Sequence, residues 1–208
     1  MEYQQRGSIT SKQYTGDRMV TISSRLYSED EMLDLMREFH GDARDWPRKN
    51  GFRPRRDWGG NKYSSTYPLY YIAFDGDKPI AFGGFEDNGK FIVSAGMSVH
   101  QDYRRKGVAN RLITKRNDKY SSMNKPALVA VNTKSMGSGD WKSKWTRTGW
   151  IDSPEDSEIS EEDKLAIPSE VLEYHRKRYG DNWMLLPVGS KPMAKAWSIL
   201  YKGDFSWK

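Results

Sequence analysis

A basic loop with one glycine lies between a strand-like run, 91–99, and an amphipathic helical run that begins at Val108. Backbone N–H groups in the first turn of a helix have no intrahelical acceptor and lie at the positive end of the helix dipole. Gly107 would let a ligand approach these groups closely, and the small Ala109 would obstruct it little. The segment from Arg104 to Asn110 is therefore predicted to bind a diphosphate.

The spacing Arg104-x-x-Gly107-x-Ala109 resembles the Arg/Gln-x-x-Gly-x-Gly/Ala loop of the GNAT superfamily of N-acetyltransferases. In that family the loop holds the diphosphate of acetyl-coenzyme A, and the preceding strand holds its pantetheine arm. The resemblance covers residues 18–151 and implies these cofactor-binding residues: Met97, Val99, Arg104, Arg105, Lys106, Gly107, Val108, Ala109, Asn110 and Asn132. The Lys-Ser/Thr pair of a Walker loop is absent. The alternative is a surface turn rich in arginine and lysine.

Three strand-like runs, 69–74, 79–86 and 91–99, precede the loop and are separated by the turn signals Asp75-Gly76 and Asn88-Gly89. Asp-Gly and Asn-Gly turns are typical of β-hairpins, so the runs are predicted to form an antiparallel meander. The GNAT sheet reaches its cofactor loop by the same meander.

The last of these runs alternates in a way that predicts one shared face. The residues expected on that face are Phe91, Val93, Ala95, Met97 and Val99. Gly96 is the expected bulge or point of close approach.

The predicted fold class is α/β (α+β): a mixed, mostly antiparallel sheet flanked by helices, with a C-terminal extension. Residues 1–17 are predicted to form a flexible arm, and residues 18–208 a single domain with its core at 18–151. The extension is predicted to contain an exposed acidic loop and a helical insertion at 152–180, then a closing strand and helix at 181–208. A helix at 168–179 and a strand at 183–188 are expected there.

Composition excludes several classes of site. The chain has no cysteine and three histidines, which excludes disulfides and cysteine-based zinc sites, and no set of metal ligands emerges. We expect His40 and His175 to have surface or capping roles. The chain has no leader and no apolar run of roughly 18 residues, so a soluble cytoplasmic protein with no membrane partner is expected.

The net charge of +6 is unevenly distributed. Residues 101–125 carry eight bases against two acids, whereas residues 152–163 carry seven acids and no base. A positive surface beside the loop suits the phosphates of coenzyme A, and it would attract a nucleic-acid backbone equally well.

Residues 44–62, the basic aromatic segment, interleave arginine and lysine with aromatic side chains. In the family this region helps form the wall of the acceptor site, which implies substrate-binding roles for Trp46, Arg53, Arg55 and Trp58. The same composition suits single-stranded nucleic acid. A surface loop anchored by buried tryptophans is the third reading.

The catalytic groups are less evident than the loop. Glu86 is the nearest carboxylate that could act as a general base, through a water, although a solvated hairpin residue is an equal reading. His100 titrates in a suitable range but lies at a variable turn of the family. Many relatives place a tyrosine acid where this chain has Trp145, so Ser138, Tyr120 or a water would have to replace it.

The predicted function is transfer of an acetyl group from acetyl-coenzyme A to a primary amine by direct transfer, with an unidentified small-molecule, peptide or acidic acceptor. The first alternative is a catalytically degenerate GNAT-fold module that binds coenzyme A or regulates a partner, suggested by Trp145. The second is a GNAT-like protein that binds or modifies nucleic acid. Relatives often dimerise, so an oligomer is compatible with the fold.

Overall fold

The computed structural model describes residues 20–40, 68–131 and 141–192. Within these ranges no helix is long and apolar enough to cross a membrane. The predicted N-terminal arm, the basic aromatic segment and most of the last predicted helix lie outside the described residues.

The described strands are β1 (Val20–Ile22), β2 (Tyr27–Ser28), β3 (Leu69–Asp75), β4 (Lys78–Asp87), β5 (Ile92–Val99), β6 (Ala127–Ala130), β7 (Ile151–Asp152) and β8 (Trp183–Leu186). The described helices are α1 (Glu29–His40), α2 (Val108–Met123), α3 (Trp141–Thr146), α4 (Glu161–Ala166) and α5 (Ser169–Tyr179). Short 3-10 turns lie at Gln101–Tyr103 and Asp156–Glu158.

The described strands form one sheet in the order β1-β3-β4-β5-β6-β8-β7, with β2 also paired to β3. Every described pairing is antiparallel except that of β5 with β6, which α2 connects. This confirms the predicted fold class and the meander that leads to the basic loop. α4 and α5 lie between β7 and β8 in the chain, so the extension completes the sheet with its closing strand.

α1 begins with a capping box. The Ser28 hydroxyl accepts the N–H of Glu31 at 3.2 Å, and the Glu31 carboxylate accepts the N–H of Ser28 at 2.8 Å. The guanidinium of Arg25 donates to the same carboxylate at 2.9 Å. The pKa of Glu31 lies below its ordinary value mainly because of the hydrogen bond from the Ser28 N–H, and next because of the hydrogen bond from Arg25. The box fixes the start of α1.

Helices cover both faces of the sheet. On the first face, α2 and the aromatic pair Trp145 and Trp150 pack against alternate residues of the central strands, such as Phe85 and Val129. On the second face, α1 packs against Phe82 and its neighbours, while α5 packs against β6 and β8. The α2 face and the α1 face therefore enclose the sheet between two apolar layers.

The expectation that β5 presents one continuous face is wrong. Val93 packs on the α1 face, whereas Met97 and Val99 pack on the α2 face. The register shifts between the pairs Gly83 with Met97 and Phe85 with Ser94, so β5 uses one residue more than β4 there. An extra residue reverses the side-chain alternation beyond it. Gly96 lies inside this bulge, as predicted.

The acidic run is not the simple exposed loop that its charge predicts. Glu155 and Glu158 form a capping box, and Ser160 caps α4. Asp163 is buried and accepts the N–H of Val188 at 2.9 Å as well as the Ser160 hydroxyl. Several acidic side chains of the run 152–163 accept hydrogen bonds from backbone N–H groups, including those at helix N-termini. These hydrogen bonds explain why an acidic segment is ordered.

His175 is also placed differently from the expectation. It is buried between α5 and β8, where its Nδ1 lies 2.8 Å from the Val171 carbonyl and its ring packs 6.0 Å from that of Trp183. Burial lowers its pKa below the ordinary value. The histidine is a core residue, because three aromatic rings surround it in place of solvent.

Candidate active site

The basic loop adopts a backbone conformation that favours glycine. Gly107 has a φ of 76° and is the residue immediately before α2, and Arg105 also has a positive φ, 62°. A Cβ built on Gly107 would meet nothing within 4 Å. The described residues therefore leave the space beside Gly107 open, next to the first N–H groups of α2, which have no intrahelical acceptor.

Hydrogen bonds from side chains connect the basic loop to the neighbouring strands and turns. The Tyr103 hydroxyl donates to Asp75 Oδ2 at 2.6 Å, which ties the loop to the turn between β3 and β4. Arg104 Nε donates to the Val99 carbonyl at 3.0 Å. His100 Nδ1 accepts the N–H of Asp102 at 3.4 Å, so this histidine caps a 3-10 turn.

The other loop residues divide between solvent and core. Arg105, Lys106 and Asn110 are exposed, and Ala109 is half-buried. Val108 is buried against the sheet with Leu112 and Ile113. The exposed positive side chains therefore lie beside the open N–H groups, while the apolar ones fix the helix.

β5 and β6 separate beyond two rows of paired residues. Their parallel pairing is limited to Ile92 with Ala127 and Val93 with Leu128. β5 nevertheless continues to Val99 alongside β4, and β6 continues alongside β8. The described residues place no strand against β5 from position 94 to position 99. This open edge is about 17 Å long and ends at the basic loop.

Backbone groups of the predicted arm-binding residues face the open edge. The His100 N–H donates to the Ile80 carbonyl on β4, so alternate residues Val99 and Met97 direct their backbone groups away from β4. The Val99 carbonyl already accepts Arg104. Unlike the Val99 carbonyl, the backbone N–H and C=O of Met97 are directed toward the open edge without a hydrogen bond from Arg104.

Arg116 is one of the eight basic residues of the predicted positive surface, but its side chain is buried, with 3% exposed. Its Nη1 donates to the Gly84 carbonyl of β4 at 3.0 Å and to the Ala95 carbonyl of β5 at 3.3 Å. These two carbonyls lie on the two strands that meet at the bulge. The sequence contains a signal for this burial, since Leu112, Arg116 and Tyr120 follow one another at i, i+4 and i+8 on the buried side of α2.

Glu86 is 7% exposed, so the solvated reading of this residue is wrong. It pairs with Val93, which in turn pairs with Leu128. The three residues form the last row before β5 and β6 part. Alternation from Phe82 and Gly84 places Glu86 on the α1 face, opposite the face that α2 covers.

The model of the acetyltransferase (GNAT) family matches residues 29–136, more than half of the chain. The chain belongs to the GNAT acetyltransferase family. It is similar in structure to the ribosomal-protein-S18-alanine N-acetyltransferase of Escherichia coli, with 15% identity, a TM-score of 0.50, and coverage of 83% of this chain and 96% of that one.

The N-acetylglutamate synthase of Neisseria gonorrhoeae, in complex with coenzyme A and N-acetyl-glutamate, is similar over 83% of this chain and 36% of its own, with 12% identity and a TM-score of 0.49. Among curated protein sequences none matches.

This GNAT chain departs from the family at the expected acid. Trp145 is buried, its ring centroid lies 5.2 Å from that of Trp150, and both belong to the core on the α2 face. Tyr120 is also fully buried, against Phe85, and burial raises the pKa of its hydroxyl. Neither side chain offers an exposed acid.

Several predicted site residues lie outside the described residues: Trp46, Arg53, Arg55, Trp58, Asn132 and Ser138. Their roles stay predictions. Within the described ranges no group of three or more His, Asp or Glu side chains could hold a metal ion.

Proposed function

We propose that this GNAT protein transfers an acetyl group from acetyl-coenzyme A to a primary amine by direct transfer. One observation carries the proposal: among the described residues, the N-terminus of α2 is open at Gly107 and adjoins a strand edge without a partner strand that starts beside Glu86. A ligand with a diphosphate at one end and amide groups along an arm has partners at both parts of this surface.

The residues fit the phosphate end of coenzyme A. The N–H groups of Val108, Ala109 and Asn110 are in the first turn of α2, and Arg105 and Lys106 are exposed beside them. Main-chain donors of this kind bind phosphate without a specific side chain. The arm would take backbone partners at Met97, as strand edges commonly offer extended ligands.

When bound, acetyl-coenzyme A supplies the acetyl group as a thioester: transfer forms a C–N bond, breaks the C–S bond and leaves the electron pair of that bond on sulfur. The protein must hold the amine and take its proton. Glu86 is the buried carboxylate in the last paired row, on the face away from α2. We assign it as the group that accepts this proton, directly or through one water.

The absence of an exposed tyrosine acid at position 145 is compatible with turnover. A thiolate is a stable leaving group compared with an amine anion, because thiol pKa values lie near 8.5. The remaining requirement is an environment that tolerates negative charge on sulfur.

The test is incubation with isotopically labelled acetyl-coenzyme A and a panel of small amines, peptides and amine-bearing nucleosides. Acetylated product and free thiol formed in equal amounts would support the proposal. Binding of the cofactor without product from any amine would favour the binding-module alternative.

The Glu86→Gln variant should retain binding but transfer at least about 10²-fold more slowly. Glu173→Gln, which removes an exposed carboxylate on α5, is the matched control and should leave the rate unchanged. Equal rates for Glu86→Gln and the wild type would remove Glu86 from the proposed mechanism.

A further inference from the structure

Arg116 is a buried cation at the bulge where β5 turns away from β6. Its side chain is 3% exposed, and its stem packs beside Gly83, where a Cβ would lie in ordinary van der Waals contact with Arg116 Cδ at 3.5 Å. Two backbone carbonyls, those of Gly84 and Ala95, accept hydrogen bonds from Nη1. The guanidinium therefore bridges β4 and β5 at the bulge.

No carboxylate in the described part of the chain neutralises the charge of Arg116. No Asp or Glu among the described residues forms an ion pair with it, and its buried Nε has no hydrogen-bond acceptor there. An unpaired buried charge costs free energy of folding. A leucine or methionine at this position would fill the same helix face without that cost.

Arg116 contacts Ala95, which is one residue from position 94, where the open edge begins far from the loop. An extended arm of roughly a dozen covalent bonds spans about 15 Å, close to the length of the edge between the loop and Ala95. An arm anchored at the loop would therefore bring its terminal sulfur close to the bulge that Arg116 holds.

We propose that Arg116 is a positioning residue of the acyl-transfer site and that its buried charge stabilises the negative charge left on sulfur. This inference rests on the proposed function. A fixed cation in a site of low dielectric constant lowers the free energy of an anion that develops nearby, with little reorganisation. It would thereby supply the environment that a tyrosine acid at position 145 would otherwise provide.

The experiment measures the pKa of the thiol of coenzyme A bound to the intact protein, from the ultraviolet absorbance of its thiolate across pH. The bound thiol should ionise about one pKa unit below free coenzyme A in the same buffer, a tenfold change in acid constant. Arg116→Met should abolish this difference. Arg116→Lys, which keeps the charge, should retain most of it.

Lys115→Met is the matched control, because it removes one positive charge from the exposed side of the same helix. It should leave the thiol pKa unchanged. A wild-type bound thiol that ionises at or above the pKa of free coenzyme A would overturn the inference even if Arg116→Met fails to fold.

A thiol pKa that is equal in the wild type and Arg116→Met would also overturn it, as would an equal shift in Lys115→Met. In these cases coenzyme A binds and the proposed function stands. Failure of the wild type to bind coenzyme A would instead contradict the proposed function and the inference together.

Discussion

Gly107→Glu tests the assignment of the basic loop. With a φ of 76°, any other L-residue at this position is strained by about 1 to 2 kcal/mol. A Cβ at this position meets no described atom within 4 Å, so steric overlap at the Cβ adds nothing. A carboxylate at the start of α2 also interacts favourably with the helix dipole, by roughly 0.3 to 1 kcal/mol. The net loss of stability should be about 1 kcal/mol.

The effect on ligand binding should be larger. A carboxylate at this position would occupy the space in front of the N–H groups and repel a diphosphate. At separations of about 4 Å each pair of like charges costs roughly 1 kcal/mol in bulk water and 4 kcal/mol at an effective dielectric constant of 20. The affinity for coenzyme A should therefore fall by about 10²-fold or more, since 1.4 kcal/mol is a factor of ten.

Gly89→Glu is the control for strain. Gly89 has a φ of 82°, and a Cβ there also meets nothing within 4 Å, but it lies in the turn between β4 and β5, at the opposite end of β5 from the loop. Calorimetry should give wild-type affinity for this variant and a similar loss of thermal stability. Retention of affinity by Gly107→Glu within threefold, or equal losses in both variants, would refute the loop assignment.

Three further predictions concern stability and pH. Gly84→Ala should lower the free energy of unfolding by about 1 to 3 kcal/mol, because the new Cβ would lie 2.5 Å from the buried ring of Tyr70; urea titration that shows no loss would contradict this packing. Asp163→Asn should destabilise the protein by about 1 to 3 kcal/mol in the same assay, because a carboxylate acceptor of the Val188 N–H is replaced; a neutral effect would show that this hydrogen bond contributes little. Burial lowers the pKa of His175, so the unfolded chain binds more protons than the folded protein. The free energy of unfolding should therefore be at its full value above about pH 6.5 and should fall as the pH drops toward the pKa of the folded state. A His175→Gln variant with the same dependence of stability on pH would contradict this assignment.

The sequence predicted the elements that follow local rules. The Asp-Gly and Asn-Gly turns and the glycine before α2 each depend on residues a few positions apart, and the structure has them in the expected places. The order of these elements, together with the loop, was enough to indicate the family. These features can be predicted from the sequence because their backbone geometry directly favours particular residue types.

The features that the sequence did not predict depend on distant contacts. The bulge at Gly96 was expected, but the change of face that it causes in β5 was not, and Arg116, which contacts it, is 21 positions from Ala95 in the chain. Asp163 is buried because a backbone N–H 25 positions away needs an acceptor. His175 was expected to have a surface or capping role, but it lies on the buried face of its helix. Burial depends on tertiary packing, which overrides the local charge pattern.

Calorimetric titration of the wild-type protein with acetyl-coenzyme A tests the central claim most directly. The account predicts saturable binding at one site per chain, lost in Gly107→Glu and kept in Gly89→Glu. Absence of binding by the wild-type protein would contradict both the assigned loop and the proposed acetyl transfer.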